Sequence, residues 1–499
     1  MSSSDVNVPP LAPTSSPPSA PPSLASNALS ALEAFGQSLA ATGPSIAIAG
    51  TVPVVFLDAG TGTLYSLLAG TVIVLLVAYV VAQFARRAAG AGSLYGYVAL
   101  GLGRVPAFAG GWGLVVGYTG IAAACLVGAA MYLGAFLDSV GVAASGTGGQ
   151  LALLAAATVV AVWYPVRGAK LSSRIGIVLE VVSLAAIVAA LVATAAHFGL
   201  RVDTAQFTAR GADPNGVMLG TVLAVTIFVG FESAGSLGSE ARDPYRSIPR
   251  AMLGTVLGAG VLYLLSTYIQ VIGFTGQQGL ASSAAPLNEV ARSAGVEWLT
   301  YVLNLGIAVS AVACGAASVN AAARGLYSLS REGVLPAALS RVHPRFRTPH
   351  TAIVLLGTVA GVVPLALIAA GAGELDVYAW TATFGTFGYL LAYLLVVLAV
   401  VPYLRRRGEL TAGPVVAGGI AALAILYVIY KNLVPVPTWP VSLLPYLFAA
   451  VVLAGLAWYG ALHRRDPERA RRIGTLVRHA DAPGAAPEPG TEPAAGHTV

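Results

Sequence analysis

The chain has 499 residues, of which 57% are hydrophobic and only 10% charged. A soluble globular protein carries about 25% charged residues, so a soluble reading is nearly excluded. The formal charge of +6 does not call for nucleic acid either, because 25 of the 27 basic residues are Arg set in short clusters between apolar stretches.

In chain order, residues 1–35 come first. They hold seven prolines between Pro9 and Pro22 and no Lys or Arg before residue 30, a composition that predicts a disordered tail with no cleavable signal peptide. Twelve apolar runs follow, starting near Ala40, Leu64, Phe108, Leu151, Ser173, Val217, Met252, Leu299, Thr351, Tyr378, Gly413 and Val441. A run of about 20 apolar residues crosses a hydrocarbon core of about 30 Å, so the chain reads as an all-α polytopic membrane protein with twelve transmembrane spans over residues 36–463. With the N-terminus placed in the cytoplasm, 23 of the 27 basic residues fall on the cytoplasmic side, leaving Arg201, Arg210, Arg292 and Lys431 outside. That asymmetry predicts cytoplasmic termini in a multi-pass protein of the cell membrane. Residues 464–499 read as a second cytoplasmic tail, and the basic stretch Arg464 to Arg472 also suits anionic lipid.

Two spans are interrupted. The first contains Gly43-Pro44 and, a few residues on, Gly50 and Pro53. Proline lacks an N–H and clashes with the carbonyl one turn back, so backbone groups are left for protein, water or a ligand to satisfy. The sixth contains Phe228-Val229-Gly230-Phe231-Glu232-Ser233-Ala234-Gly235. An acid at mid-span is costly, which makes Glu232 a functional candidate. Breaks five spans apart suggest two five-helix repeats of opposite orientation, about 36–200 and 214–405, with spans 11 and 12 (about 411–463) added. The site is expected between the two breaks.

Glu180 is the other embedded acid, and two readings stand for it: a hydrated or Arg-paired structural group near Arg174, or a proton relay. Asp58 and Asp138 fall at predicted outer helix ends and read as solvated. Glu240 is expected to pair with Arg242, Arg246 or Arg250, in a gate or in a packed loop. Ser310 could offer an oxygen to sodium or bond its own helix. Cys125 and Cys314, both in apolar runs, read as core residues. No cofactor or metal is expected: His197, His343, His350, His463, His479 and His497 sit at interfaces, in loops or in a tail, without HExxH or paired carboxylates. The same lack argues against an enzyme.

Several segments together resemble the amino acid-polyamine-organocation superfamily of permeases. Gly92-Ser93-Leu94-Tyr95-Gly96-Tyr97 is similar to a Gly-Ser-Tyr-x-Tyr segment after span 2, and Gly168-Ala169-Lys170-Leu171-Ser172 to one that opens span 5. Gly230-Phe231-Glu232, Glu240 to Pro244 and Ile248-Pro249-Arg250 resemble span 6 and its exit. Span 8 adds Asn320 to Tyr327, Ser330 to Pro336 and Arg347-Thr348-Pro349. The resemblance implies a leucine-transporter-like 5+5 inverted repeat working by alternating access. It also implies that Ser45, Ile46, Ala47, Ile48 and Ala49 form an unwound stretch receiving an α-carboxylate or α-amino group. Phe228, Gly230, Phe231 and Glu232 would face them, and Tyr118 would line the site. Where the family commonly has Gly-Ser-Gly in span 1, this chain has Ile46-Ala47-Ile48. Ser183 stands at the position of a span 5 lysine found in proton-coupled branches.

These readings converge on uptake of an amino acid, neutral in preference, or a related amine. A proton is expected to drive it, since a carboxyl alternately buried and hydrated at Glu232 changes its proton affinity with access. Phe228 and Phe231 read either as an apolar lining or as packing. An exchanger, a sodium-coupled permease and a non-transporting nutrient sensor are the rival readings.

Overall fold

The computed structural model describes residues 23–144, 146–199, 202–208, 212–274 and 286–479. Most of the expected N-terminal tail, residues 480–499, Arg201, Arg210 and His497 lie outside them. The helices are α1 (Ala31–Thr42), α2 (Pro44–Ala59), α3 (Thr63–Ala85), α4 (Leu94–Leu102), α5 (Arg104–Ser139), α6 (Thr147–Val166), α7 (Ala169–Phe198), α8 (Thr204–Thr208) and α9 (Pro214–Thr226). After a 3-10 segment at Phe231–Leu237 come α10 (Pro244–Phe274), α11 (Pro286–Ser293), α12 (Leu299–Arg331), α13 (His350–Ala369), α14 (Glu374–Arg406), α15 (Ala412–Lys431), α16 (Leu444–Arg465) and α17 (Pro467–Ala470). The one small sheet among the described residues pairs β1 (Ala88–Ala89) with β2 (Arg478–His479).

Eleven helical stretches among the described residues are long and apolar enough to cross a bilayer, and the first, Ala31–Ala85, runs 55 residues. That is far more than one crossing needs. The chain reverses after α2 at Gly60, with φ 56°. Beyond the reversal, Ser66 Oγ of α3 donates to the Val217 carbonyl at 2.9 Å. A Cβ on Gly216 would press the Asp58 carbonyl at the end of α2. The end of α2 and the starts of α3 and α9 therefore share one face, and α1–α2 and α3 are separate crossings, twelve in all. Asp58 and Asp138 are exposed, as expected.

The core is built by close helix approach rather than by large side chains. Gly113, Gly117 and Gly120 of α5 meet Gly385 and Gly388 of α14 so tightly that a Cβ on Gly388 would lie 2.2 Å from the Gly113 carbonyl. Small residues let backbones approach in this way inside a membrane. The seam brings Tyr118 of α5 and Tyr393 of α14 to the same point. Outward, Val159, Trp163, Val178, Leu423 and Leu453 are exposed on helix faces that suit hydrocarbon. α16 is peripheral, with only Phe448, Gly455 and Tyr459 buried.

Both expected tails are shorter than their composition suggests. The boundary at residue 35 falls inside α1, and Ala28 and Leu29 donate backbone hydrogen bonds to the Glu240 carbonyl at 2.9 and 3.1 Å. At the other end, Ala470 and Ile473 are buried and β2 joins β1. Gly238 packs on Gly90, so the segments holding the two ends of the described chain share one face.

Candidate functional site

The first span breaks once, at Gly43. This residue takes a left-handed φ of 56°, its N–H closes α1 on the Leu39 carbonyl, and Pro44 opens α2 as its first residue. Proline suits that position, where its missing N–H removes nothing from the helix. Ser45 to Ala49 are thus the first turns of α2 rather than an unwound stretch, and Gly50 and Pro53 lie inside it. Pro53 does not break the helix. Ser45, Ile46, Ile48 and Ala49 are buried, and Ala47 is half-buried.

The sixth span breaks more fully. α9 ends at Thr226, the chain turns through Gly230 at φ 99°, and a 3-10 segment carries Glu232. A 3-10 turn bonds i to i+3 and leaves the α-helical ladder unfinished. The two breaks abut. Ser38 Oγ of α1 donates to the Phe231 carbonyl, and Ser233 Oγ donates to the Gln37 carbonyl at 3.1 Å. Cys314 Sγ lies 3.3 Å from the Ala41 carbonyl and packs on Gly43, so this core residue seats the first break.

Two fully buried carboxylates stand at this junction. Glu232 accepts from Tyr118 Oη at 2.6 Å and from Tyr393 Oη at 2.5 Å. Glu180 accepts from the Ser45 N–H at 3.0 Å, Ser45 Oγ at 2.8 Å and Ser310 Oγ at 2.6 Å. The Ser45 amide is an otherwise free donor of the first turn of α2, and a helix N-terminus favours a negative charge. Among the described residues, neither carboxylate has an ion-pair partner. The Arg-paired reading of Glu180 is thereby corrected: Arg174 pairs with Glu33 at 3.0 Å instead, and Glu180 reaches inward to the first break. Ser310 Oγ bonds Glu180 and not its own helix.

Phe228 packs edge-on against Tyr263 at 4.9 Å between ring centroids, and Phe231 lies tilted against Tyr393 at 5.6 Å. Both are fully buried in aromatic packing.

Glu240 also differs from expectation. It pairs with Arg324 of α12 at 2.7 and 3.2 Å, both side chains being buried. Arg324 in turn bonds the side chain of Asn320, Asn320 Nδ2 donates to Gln37 Oε1 at 3.0 Å, and Gln37 Nε2 donates to the Ala317 carbonyl at 2.9 Å. By sequence Arg324 reads as one of the 23 cytoplasmic topology charges; in the structure it is the buried centre of a network joining α1, α12 and the exit of the sixth span. An Arg seven residues before the end of an apolar run was the signal available. Tyr393 had no such signal, since nothing in the sequence separates it from other tyrosines of α14.

Residues 30–456 match the sequence profile of the family described as amino acid permease. The chain belongs to that family. The match covers both breaks and runs from the start of the first span into the twelfth, and it bears out the permease resemblance. Among the relatives, an uncharacterized transporter of Mycobacterium bovis is 31% identical over 337 residues, covering 67% of this chain and 71% of the relative. A branched-chain amino acid permease of Bacillus subtilis is 27% identical over 392 residues, covering 74% and 80%. A methylthioribose transporter of the same organism is 25% identical over 414 residues, covering 79% and 84%. The chain is therefore a multi-pass membrane protein of the amino acid permease family, and the junction of its two breaks is its candidate site.

Proposed function

We propose that the protein is a secondary active transporter that takes up a neutral amino acid through the cell membrane, driven by proton symport. The observation that carries the reading is the pair of buried carboxylates, Glu180 and Glu232, each held only by neutral donors at abutting helix breaks. A buried acid with no cation changes its proton affinity when water reaches it, so access and protonation become linked.

The two interrupted spans, five apart, support a 5+5 inverted repeat with the site between its broken members. Ser45 to Ala49 and Tyr118, Phe228, Gly230 and Phe231 would surround the solute. Aromatic packing around Glu232 and the branched-chain permeases among the relatives favour a neutral side chain. The basic residues favour the terminus-bearing face as cytoplasmic.

In proteoliposomes, Glu232→Gln and Glu180→Gln are expected to abolish the response of uptake to an imposed pH gradient, in one or both variants. Gradient-driven uptake unchanged in both would overturn proton coupling. Counterflow of labelled solute, with no gradient and at the full rate, would assign an exchanger instead.

A further inference from the structure

The segment Ala88 to Tyr97 lies between the site and the C-terminal stretch of the chain. On its inner side, Ser93 Oγ donates to the Glu232 carbonyl at 3.2 Å. A small cavity there is lined by Ala91, Ser93, Tyr95, Ala321 and Gly325 and reaches Tyr118, the donor to Glu232. On its outer side, β1 pairs antiparallel with β2, Ala88 opposite His479 and Ala89 opposite Arg478. A Cβ on Gly96 would touch Val477.

Glu332, at the end of α12, ties the layers together. It accepts from Tyr95 Oη and from the Leu476 N–H at 3.2 Å, while the Gly474 N–H donates to Tyr95 Oη at 3.3 Å. Ala470 and Ile473 anchor the stretch by burial, and the Ala470 carbonyl accepts from Tyr459 Oη at 3.3 Å. The stretch therefore grips α4, α12 and α16 at once. Short strand pairs and a few hydrogen bonds open at low cost compared with the transmembrane core.

We propose that residues 473–479 are a bolt that holds the Ala88–Tyr97 segment closed over the route from Glu232 to the terminus-bearing face. Release of the bolt lets that segment move and admits water to the cavity beside Tyr118. The inference places the opening of the transport route and rests on the transport reading only for its physiological meaning.

The test places a thiol in the cavity with Ala321→Cys and follows its labelling by a membrane-impermeant maleimide from the terminus-bearing face. The buried Cys125 and Cys314 set the background in protein without the probe. A chain ending at Arg472 is expected to label at least about fivefold faster than the full chain, the scale set by losing one or two net hydrogen bonds. A chain ending at His479 is expected to label at the full-chain rate. Equal rates for all three, or equal acceleration in both shortened chains, would overturn the bolt. If the chain ending at Arg472 does not fold, Leu476→Pro in the full chain removes the N–H that reaches Glu332, and the same acceleration is expected; an unchanged rate overturns the proposal. Labelling does not require transport. Acceleration in a protein that moves no solute would leave the bolt standing and overturn the transport reading, whereas gradient-driven uptake with no acceleration would do the reverse.

Discussion

A Cβ placed on Gly230 would lie 2.4 Å from the carbonyl oxygen of Ala41. The break in the sixth span is thus seated directly on the backbone just before the break in the first, and only a residue without a side chain fits. Gly230 also holds φ at 99°, where side chains are strained. Gly230→Ala is expected to lower stability by about 2–4 kcal/mol, combining backbone strain with a contact to backbone that cannot move aside. Thermal unfolding in detergent measures this. A shift no larger than that of Gly258→Ala, whose added methyl meets open space in α10, would show that the junction is looser than described.

The buried Glu240–Arg324 pair gives a second prediction. Removing one partner leaves an uncompensated charge, at a cost of about 3–5 kcal/mol, while replacing both with apolar residues can be nearly neutral. Glu240→Leu and Arg324→Met are each expected to destabilise strongly, and the double variant to recover most of the loss. The double-mutant cycle would then show a large coupling energy. Additive losses would mean that the two side chains do not share their stability.

The spans and the two breaks were legible because each rests on a local cost: a charge, a proline or a left-handed turn inside hydrocarbon is expensive wherever it occurs. Glu232 stood out for that reason. What Glu180 faces was not legible, because its distance from Ser45 is set by the packing of α7 on α1 and α2, not by anything within α7. Pro53 misled for the opposite reason: it sits inside α2 without interrupting it. Composition also hid the C-terminal stretch, where Arg464 to Arg472 suggested a free basic tail and the apolar Ile473, Leu476 and Val477 were too few to register as a docking segment.

The donors on Glu180 are unequal, which ranks two substitutions. Glu180 Oε1 accepts from both the Ser45 N–H and Ser45 Oγ, whereas Oε2 accepts from Ser310 Oγ. Ser45→Ala leaves the amide bonded to Oε1 and is expected to cost about 1 kcal/mol. Ser310→Ala strips the Oε2 donor from a buried carboxyl and is expected to cost about 1.5–3 kcal/mol. Thermal unfolding of the two variants side by side checks the order. With a proton proposed as the coupling ion, uptake is also expected to be unchanged when sodium is replaced by choline. The reverse order of stabilities, or uptake that requires sodium, would return Ser310 to a cation-binding role.

Glu332 makes the hold of the C-terminal stretch depend on pH. Burial pushes its carboxyl above the ordinary value of 4.5, against the opposing pull of hydrogen bonds from Tyr95 and from the Leu476, Gly474 and Thr475 backbone. Tyr95 of α4 is the titratable group facing it; burial and the neighbouring Glu332 push that hydroxyl well above its usual range, so it stays a donor throughout. From α16 and α17, Tyr459 faces Tyr95 and the Arg469 stem passes beside Gly333. When the stretch leaves, Glu332 meets water and returns toward 4.5. The docked state then binds the proton more tightly, so docking is strongest below pH 4.5 and weakens as pH rises through the elevated value. The labelling rate of Ala321→Cys in the full chain, divided by that in the chain ending at Arg472 to cancel the reactivity of the thiol itself, is expected to climb over this window. Glu332→Gln keeps an acceptor and cannot ionise, so its ratio is expected to stay flat; a ratio that climbs equally in both would assign the pH response to another group.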